Sequence, residues 1–519
     1  MPASITNPSI TTVTTTTILN NTSTIIPNDD QVIGDINQIS KYWSNVRPYM
    51  DSPSDYFGVT DTGLPDGCQV EQAFILHRHG ARYPTNQIID GLNMDRFALA
   101  IHLIRLTNSD KFTGPLSFLN TWVYTLSKEI LVANGAAGSY KSGVDFWNTY
   151  GRILYNARPG QTYYNESGQS KILLRSNSVL RMFESALHWA NGFFGLNANN
   201  KYSLLSILSS PGVNNTLGGN QACLNARLFP TGNVDIIEVF EYLETFLSNA
   251  ITRLSAYVPL NVNFTAEDAF AMQMLCAFEY SALGSSDFCS LFTLNEWRGF
   301  EQLLNVLFYR TYSFGSSTGR AVGLGYLEEL IARLKKQFIN VSHSSVNSTL
   351  DSSSETFPLN QTFHMDMTSD TVIVAFLTAL SLDYFRENVS FVYPPPATGH
   401  FRLSYMTPFS ARLITEKIGC VSSSPISTNS TRTQYSQTQY NYSSHAATYK
   451  FIRMRLNNAV LPLDTLRGGL CSIGRTDGLC PMANFIASQQ NASVLANFQF
   501  VCYGDITSGT FTDDGTVLP

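Results

Sequence analysis

Charge is scarce in this chain of 519 residues. Asp, Glu, Lys and Arg together make up 14% of it, against about a quarter in typical globular proteins. Acidic residues (39) outnumber basic residues (33), which gives a formal net charge of −6. Nucleic-acid-binding proteins normally carry a basic face, so this balance argues against a nucleic-acid partner. It leaves room for a small basic pocket that binds an anionic substrate.

The sequence also lacks any run of 18 apolar residues, the length that a membrane-spanning helix requires, so we expect no membrane partner. The hydrophobic content of 44% is that of a globular protein with a sizeable core. Residues 1–30 are rich in Thr, Ser and Asn, and we expect a disordered tail there. This segment has no charged-then-apolar export signal, so such a signal has either been removed or is absent.

Zinc-type cysteine pairs are missing too, because the chain has no C-x-x-C pair and no His close enough to complete a zinc knuckle. An even number of cysteines without such pairs is typical of disulfides formed in an oxidising compartment. Free buried thiols are the alternative. The eight residues are Cys68, Cys223, Cys276, Cys289, Cys420, Cys471, Cys480 and Cys502.

What the chain has in abundance is acceptor triplets for N-linked glycans, of the form Asn-x-Ser/Thr. Chance produces such triplets in a chain rich in Asn, Ser and Thr, but a dozen of them favours the secretory pathway. We therefore expect a glycoprotein that is secreted to the extracellular or cell-wall space. The triplets begin at Asn20, Asn21, Asn165, Asn214, Asn263, Asn340, Asn347, Asn360, Asn388, Asn429, Asn441 and Asn491.

The pattern of apolar residues predicts strands that alternate with helices, which indicates an α/β sheet. The segment Cys68–His79 contains the apolar run AFIL and is followed by Gly80 and Pro84, as in a buried strand that ends in a loop. Residues 203–338 are predicted to be mostly helical. Other predicted strands are Lys171–Arg175 and Gln361–Thr368, and predicted helices are Asp95 to about Ala133, Met182–Phe194, Gly325–Phe338 and Thr371–Leu382.

The densest group of chemically active residues is the heptad RHGARYP, residues 78–84. It follows the buried strand, at the carboxyl edge where open α/β sheets bind ligands. Arg78 and Arg82 present planar forks of donors that match phosphate oxygens. A neutral imidazole at His79, held among fixed positive charges, can attack phosphorus. The alternative is a surface loop with a structural histidine.

The heptad resembles the R-H-G-x-R-x-P signature of the histidine acid phosphatases, a family that includes the fungal and yeast phytases. The resemblance implies a histidine-phosphatase sheet, of the phosphoglycerate-mutase-like kind, with helices on both faces. Residues 31–202 and 339–519 would form this core, and residues 203–338 a helical insertion; neither cofactor nor metal is implied. Further segments that resemble the family are Phe288–Phe292 with Glu296 and Trp297, Glu329–Leu334, and Met406 to Cys420.

By this resemblance His79 is the nucleophile, and Arg78 and Arg82 hold the phosphate. The family has a third phosphate-binding arginine after the next strand, and the matching position here is Arg181. Arg175 is the weaker candidate for that role, with a salt bridge at the strand end as the alternative. These arginines would supply positive charge where the phosphoryl oxygens gather negative charge.

The chain departs from the family at its late His-Asp pair, which reads Ser369-Asp370 here. The resemblance assigns Asp370 as the general acid that protonates the leaving oxygen. Ser369 stands in the position of a phosphate-binding histidine and offers only a short, neutral hydroxyl. The alternative for this pair is the N-cap of a helix. His364 is no substitute, because residues five apart on a strand face opposite sides.

The resemblance also implies the disulfide pairing, which is Cys68–Cys420, Cys223–Cys502, Cys276–Cys289 and Cys471–Cys480. The first two bridges would tie the sheet to the last third of the chain.

We therefore expect a secreted acid phosphatase that hydrolyses phosphate monoesters through a phosphohistidine. The expected substrate is phytate, because a small neutral residue at Ala81 adds no repulsion toward a highly charged ligand. A broad-specificity acid phosphatase is the first alternative. The second is a glycoprotein that still binds phosphate but is catalytically impaired by the change to Ser369.

Overall fold

The structure of the chain is a computed structural model that describes residues 29–165, 170–196, 198–228, 234–426 and 442–518. The predicted disordered tail, residues 1–30, lies outside these ranges except for its last two residues.

One mixed sheet of eight strands organises the molecule, in the order β3-β2-β4-β1-β5-β6-β7 with β8 paired to β6. Strands β9 and β10 form a separate ribbon. The strands are β1 (Cys68–Arg78), β2 (Ile172–Asn177), β3 (Tyr202–Ile207), β4 (Phe363–Thr368), β5 (Arg412–Cys420), β6 (Tyr449–Leu456), β7 (Ala459–Val460), β8 (Cys480–Pro481), β9 (Thr510–Phe511) and β10 (Val517–Leu518).

Strand β1 lies at the centre of the sheet, parallel to β4 on one side and antiparallel to β5 on the other. Its apolar run is buried on both faces, since side chains alternate along a strand. Phe74 and Leu76 belong to one hydrophobic cluster, and Ala73 and Ile75 belong to another. A strand covered on both faces is expected to read as a continuous apolar run, which explains the sequence AFIL.

Helices cover both faces of the sheet, so the predicted fold class is confirmed. The helices Ala133–Phe146 and Leu180–Phe194 contribute Phe146 and Trp189 to the cluster of Ala73 and Ile75. The other long helices contribute to the cluster of Phe74 and Leu76. The long helices are α1 (Asn93–Thr107), α2 (Ala133–Phe146), α3 (Leu180–Phe194), α4 (Ile236–Ser255), α5 (Ala266–Leu283), α6 (Leu294–Tyr312), α7 (Gly319–Lys335) and α8 (Asp370–Ala379).

Shorter helical segments connect these elements. They are Ile36–Ile39, Arg152–Leu154, Gly219–Ala222, Leu224–Leu228, Ser348–Asp351, Leu403–Met406, Met482–Ser488, Ala492–Ala496 and Phe498–Tyr503.

Most of the predicted elements are present, but one prediction needs correction. The helix predicted from Asp95 to about Ala133 ends at Thr107, and residues Gly114–Asn120 form a separate 3-10 helix. Gly114 has a φ of +49° and is followed by a proline, which lacks the donor that a continuing helix needs. The predicted start of the helical insertion, residue 203, falls within β3. The division of the chain into a core and an insertion stays a prediction.

Four disulfides join the pairs that the family resemblance implies. All eight cysteines lie in the described part of the chain, and none of them is free. The bridge Cys68–Cys420 links the first residue of β1 to the last residue of β5, which face each other in the antiparallel register. It therefore closes one end of the central strand pair.

Most of the described glycan-acceptor asparagines are exposed, and Asn347 is half-buried and caps a helical turn. Asn20, Asn21, Asn429 and Asn441 lie outside the described residues. Within the described residues, none of the helices combines the length and the apolar character needed to cross a bilayer. The exposed acceptors are Asn165, Asn214, Asn263, Asn340, Asn360, Asn388 and Asn491.

Candidate active site

The heptad begins at the carboxyl end of β1, beside the carboxyl end of the parallel strand β4. The backbone N–H of His79 continues the pairing and donates to the carbonyl oxygen of Thr368, 3.0 Å away. The parallel register thus brings the heptad next to the residues that follow β4. Gly80 packs closely against α2, where a Cβ atom at Gly80 would lie 2.2 Å from the carbonyl oxygen of Gly135. Only glycine permits that approach.

His79 lines the main cavity at this edge of the sheet and is almost fully buried. Its Nδ1 lies 2.8 Å from the carbonyl oxygen of Gly80, which can only accept a hydrogen bond, so Nδ1 carries the proton. The lone pair of the neutral ring is then on Nε2. This atom lies 3.4 Å from Nε of Arg181. The unprotonated nitrogen therefore faces a cation that binds phosphate in the predicted scheme.

The surroundings of His79 keep its imidazole neutral. Burial lowers the pKa of His79 well below its usual value, and the nearby charges of Arg181, Arg78 and Arg82 lower it further. A neutral ring retains its lone pair in acidic solution. The site therefore holds a nitrogen nucleophile under conditions in which an exposed histidine would be protonated.

Two of the predicted phosphate-binding arginines, Arg82 and Arg181, line the same cavity. Arg181 comes from the first turn of α3, and its Nη1 lies 2.7 Å from Oε2 of Glu129. Nη1 of Arg82 lies 3.3 Å from Oδ2 of Asp90. The buried Nε of Arg82 has no acceptor among the described residues. Arg82 therefore has a buried donor that none of the described residues uses.

Arg78 is fully buried and is not among the residues that line the cavity. Its Nη1 donates to the carbonyl oxygen of Thr407, at 2.6 Å, and to that of Asn45. Its Nη2 lies 2.8 Å from Oδ2 of Asp370, and its guanidinium stacks over the ring of Phe409. Arg78 therefore forms an ion pair with the predicted acid, while its Nε and Nη2 have no hydrogen-bond acceptor among the described residues. Its predicted contact with the phosphate stays a prediction.

Ser369 and Asp370 both line the cavity, at the start of α8. Oδ2 of Asp370 accepts a hydrogen bond from Nδ2 of Asn45, at 2.8 Å, in addition to its contact with Arg78. Oδ1 accepts from the backbone N–H of Thr371. The Ser369 hydroxyl lies 2.7 Å from the Thr371 hydroxyl and makes no capping hydrogen bond to the helix. Ser369 thus occupies the N-cap position without a side-chain cap.

The two weaker candidates lie outside the cavity lining. Nε of Arg175 is 2.6 Å from Oδ1 of Asp366, and its Nη2 contacts Glu329, so the salt-bridge alternative for Arg175 is the one observed. His364 is buried and stacks on Phe74, with ring centroids 5.2 Å apart. The expectation that it cannot replace Ser369 agrees with this position.

Three residues that complete the site were not predicted from the sequence. Asn45 donates to Asp370, and Asp90 and Glu129 pair with the two arginines of the cavity. None of them carries a motif. Asn45 and Glu129 are distant in sequence from their partners, and tertiary packing brings them to the site, whereas Asp90 lies eight residues after Arg82.

The cavity has a volume of about 350 Å³. It is lined by His79, by the charged residues Arg82, Arg181, Asp90 and Asp370, and by neutral polar groups and apolar side chains, several of them from α5 and α6. Among the described residues, no group of three or more His, Cys, Asp or Glu side chains is placed to hold a metal ion.

Comparison with known proteins identifies the family of this chain. The sequence model of the histidine phosphatase superfamily (branch 2) matches residues 69–456. Phytase A of Aspergillus oryzae is 31% identical over 390 residues, which covers 74% of this chain and 80% of that protein. Phytase A of Aspergillus fumigatus is 29% identical over 392 residues, with 74% and 80% covered.

The crystal structure of the phytase from D. castellii superimposes with a TM-score of 0.67 at 20% identity, covering 91% of this chain and 92% of that one. This likeness shows the fold, and the sequence matches show the family. The chain therefore belongs to branch 2 of the histidine phosphatase superfamily and is a phosphoric monoester hydrolase.

Proposed function

We propose that this enzyme transfers the phosphoryl group of a monoester to Nε2 of His79 and then to water. In the first step the N–P bond forms while the bond from phosphorus to the ester oxygen breaks, and Asp370 gives its proton to that oxygen. In the second step water attacks phosphorus, the N–P bond breaks, and Asp370 takes up a proton from the water. Inorganic phosphate leaves, and both residues return to their starting states.

The observation that supports this mechanism best is the state of His79. Its tautomer places the lone pair on Nε2, and its lowered pKa keeps Nε2 unprotonated in acid. Arg82 and Arg181 flank the place where phosphoryl oxygens would gather charge. Asn45 and Arg78 both contact Oδ2 of the acid, and the backbone N–H of Thr371 donates to Oδ1, so the carboxyl group has a fixed orientation at the cavity.

For the substrate, one candidate is phytate, which is supported by the relatives named above, because they are phytases. The argument from Ala81 does not support it, since Ala81 is buried and is not among the residues that line this cavity. Phosphate monoesters of less charged alcohols are the second candidate, which the lining of the cavity favours. The disulfides and the exposed glycan acceptors support secretion as a glycoprotein.

The test is phosphate release from an aryl phosphate at about pH 5 by the purified chain in the presence of a metal chelator. We expect many turnovers per enzyme. Rapid mixing with labelled substrate and an alkaline quench, in which phosphohistidine survives, should place the label on the peptide that contains His79. Binding of the ester without any release of phosphate would favour a merely phosphate-binding glycoprotein. A label on another residue would contradict the assignment of the nucleophile.

A further inference from the structure

Part of the cavity wall is apolar. Met274 comes from α5, and α6 contributes Leu304, Leu307, Phe308 and Tyr312, which recur at the spacing of one helix face. Met274, Leu304 and Leu307 are buried and also belong to the main hydrophobic core, so this wall is firmly supported. A leaving group that extends from a phosphate bound at His79 therefore meets a rigid, apolar surface.

The charges of the cavity suffice for one phosphate group. Its lining contains two cations, Arg82 and Arg181, and two carboxylates, Asp90 and Asp370. Each of these arginines is already paired with a carboxylate, and the described lining residues include no lysine. Outside the described residues the chain has a single basic residue, Arg432.

The other polar groups of the lining are neutral amides and hydroxyls, such as those of Gln87, Asn177 and Gln221. A ligand with several phosphate groups brings several negative charges, and each needs a cation or bulk water to compensate for desolvation. Only the phosphate next to His79 finds such compensation among the described residues. The rest of such a ligand would face amides and hydrocarbon.

The apolar surface continues beyond the wall. Ile89 lines both this cavity and a neighbouring one of about 160 Å³. The second cavity is formed mainly by Val239, Phe240, Phe270 and other apolar side chains. Its cation, Arg96, pairs with both Glu267 and Asp268. The two cavities therefore have an apolar residue in common.

From these observations we propose that the wall of Met274, Leu304, Leu307 and Phe308 is a subsite for an apolar leaving group. The enzyme then prefers phosphate monoesters of aryl and alkyl alcohols to phytate. This inference rests on the proposed phosphohistidine mechanism and concerns which ester enters it.

The first experiment compares kcat/KM at about pH 5 for 1-naphthyl phosphate, octyl phosphate, glycerol 2-phosphate and phytate. Contact with a hydrophobic pocket typically changes kcat/KM by about tenfold or more for each small apolar group. We therefore expect the naphthyl and octyl esters to exceed both glycerol 2-phosphate and phytate by at least about tenfold. A value for phytate that equals or exceeds that of the apolar esters would overturn the proposal.

The second experiment adds a cation to the lining. Gln87 is exposed at the cavity, and its side chain packs against no core, so Gln87→Lys should fold normally. We expect it to raise the ratio of kcat/KM for phytate to that for naphthyl phosphate by about three- to tenfold. The matched control is Leu260→Lys, which adds the same charge at an exposed position outside the lining and should leave the ratio unchanged.

The third variant, Phe308→Ala, removes part of the wall and should lower kcat/KM for the naphthyl ester more than for glycerol 2-phosphate. An equal loss for both esters would contradict the subsite.

Failure of the subsite is distinguishable from failure of the mechanism. If no ester is turned over, or if turnover survives His79→Ala, the mechanism is wrong; if turnover depends on His79 but phytate is preferred, only the subsite is wrong.

Discussion

The fold contains two arginine clusters that differ in their surroundings. In the first, Arg82 and Arg181 face the cavity beside His79. In the second, Arg175 of β2 and Arg333 of α7 clamp Asp366 of β4. The second cluster, which we call the Asp366 network, also contains Glu329 and Asp351 and is almost completely excluded from solvent.

The two clusters differ in their access to a ligand. Burial alone would raise the pKa of Asp366, but Arg175 and Arg333 lower it below its usual value. Burial and the neighbouring Glu329 raise the pKa of Asp351 to about 9. The side chains of this network are enclosed, whereas Arg82 and Arg181 line a cavity beside a histidine whose pKa is lowered by burial and positive charge. The comparison indicates that the enclosed network stabilises the fold, whereas the open cluster can bind an anion.

The largest expected effect is that of His79→Ala, which removes the nucleophile and leaves the Asp366 network intact. Turnover should fall by at least about 10³-fold, since loss of a catalytic nucleophile commonly costs that much or more. Phosphate release from an aryl ester measures turnover, and circular dichroism of the same preparation shows whether the variant is folded. Activity above a few per cent in a folded variant would show that the open cluster is not the catalytic centre.

The reverse experiment is Asp366→Asn, which breaks the network and leaves the cavity residues in place. Removal of one partner of a buried ion pair costs about 3–5 kcal/mol of unfolding free energy, because the remaining charges are left uncompensated. Denaturant titration measures this loss, and kcat of the folded fraction should change little. As a control, Glu238→Gln breaks the more exposed pair with Arg310 and should cost under about 1 kcal/mol.

The Asp366 network also predicts how stability depends on pH. Because its pKa is depressed in the folded state, Asp366 contributes stability above the ordinary pKa of an unfolded Asp, and this contribution is lost as pH falls through the folded pKa. The wild type should therefore keep this contribution in moderately acidic solution. A stability difference between wild type and Asp366→Asn that vanished already at about pH 5 would contradict the assignment.

Arg181→Gln tests the open cluster itself. Turnover should fall by about 10²–10³-fold, the usual cost of one donor to a developing oxyanion. The pKa of His79 should rise, because one of the charges that lower it is removed. The imidazole then becomes protonated at a higher pH, so the acidic limb of the pH–rate profile should move upward. Arg158→Gln, the same change at an exposed position, should alter neither property.

The smallest expected effect is that of Ser369→His, which adds a donor to the open cluster. Ser369 lines the cavity, and its short side chain contacts the Thr371 hydroxyl. A histidine at this position would place one more phosphate-binding group at the cavity. We expect turnover to rise by at least roughly tenfold, while the affinity for inorganic phosphate changes less, because the arginines dominate ground-state binding. Ser369→Ala should give no gain. Unchanged or lower turnover in Ser369→His would mean that the site has adapted to serine.

The position of His79 at the edge of the sheet could be predicted from the sequence, because an apolar run followed by a glycine-containing loop marks the edge where ligands bind. Its role as the nucleophile and that of Arg78 as a phosphate ligand stay predictions. The full burial of Arg78 carried no signal in the sequence. Glu129 had no signal either, because it lies 52 residues from Arg181 and reaches it only through tertiary packing.

The bridge between Cys68 and Cys420 has a consequence for the timing of folding during synthesis. These cysteines are 352 residues apart, and β1 finds its two sheet neighbours only in residues 363–420. At about 5–20 residues per second, a ribosome needs about 20–70 seconds to cross that interval. The strand that leads to His79 is therefore made early but stays without its sheet partners until most of the chain has emerged. The nucleophile is among the first residues of the site to be synthesised and among the last to be fixed in place.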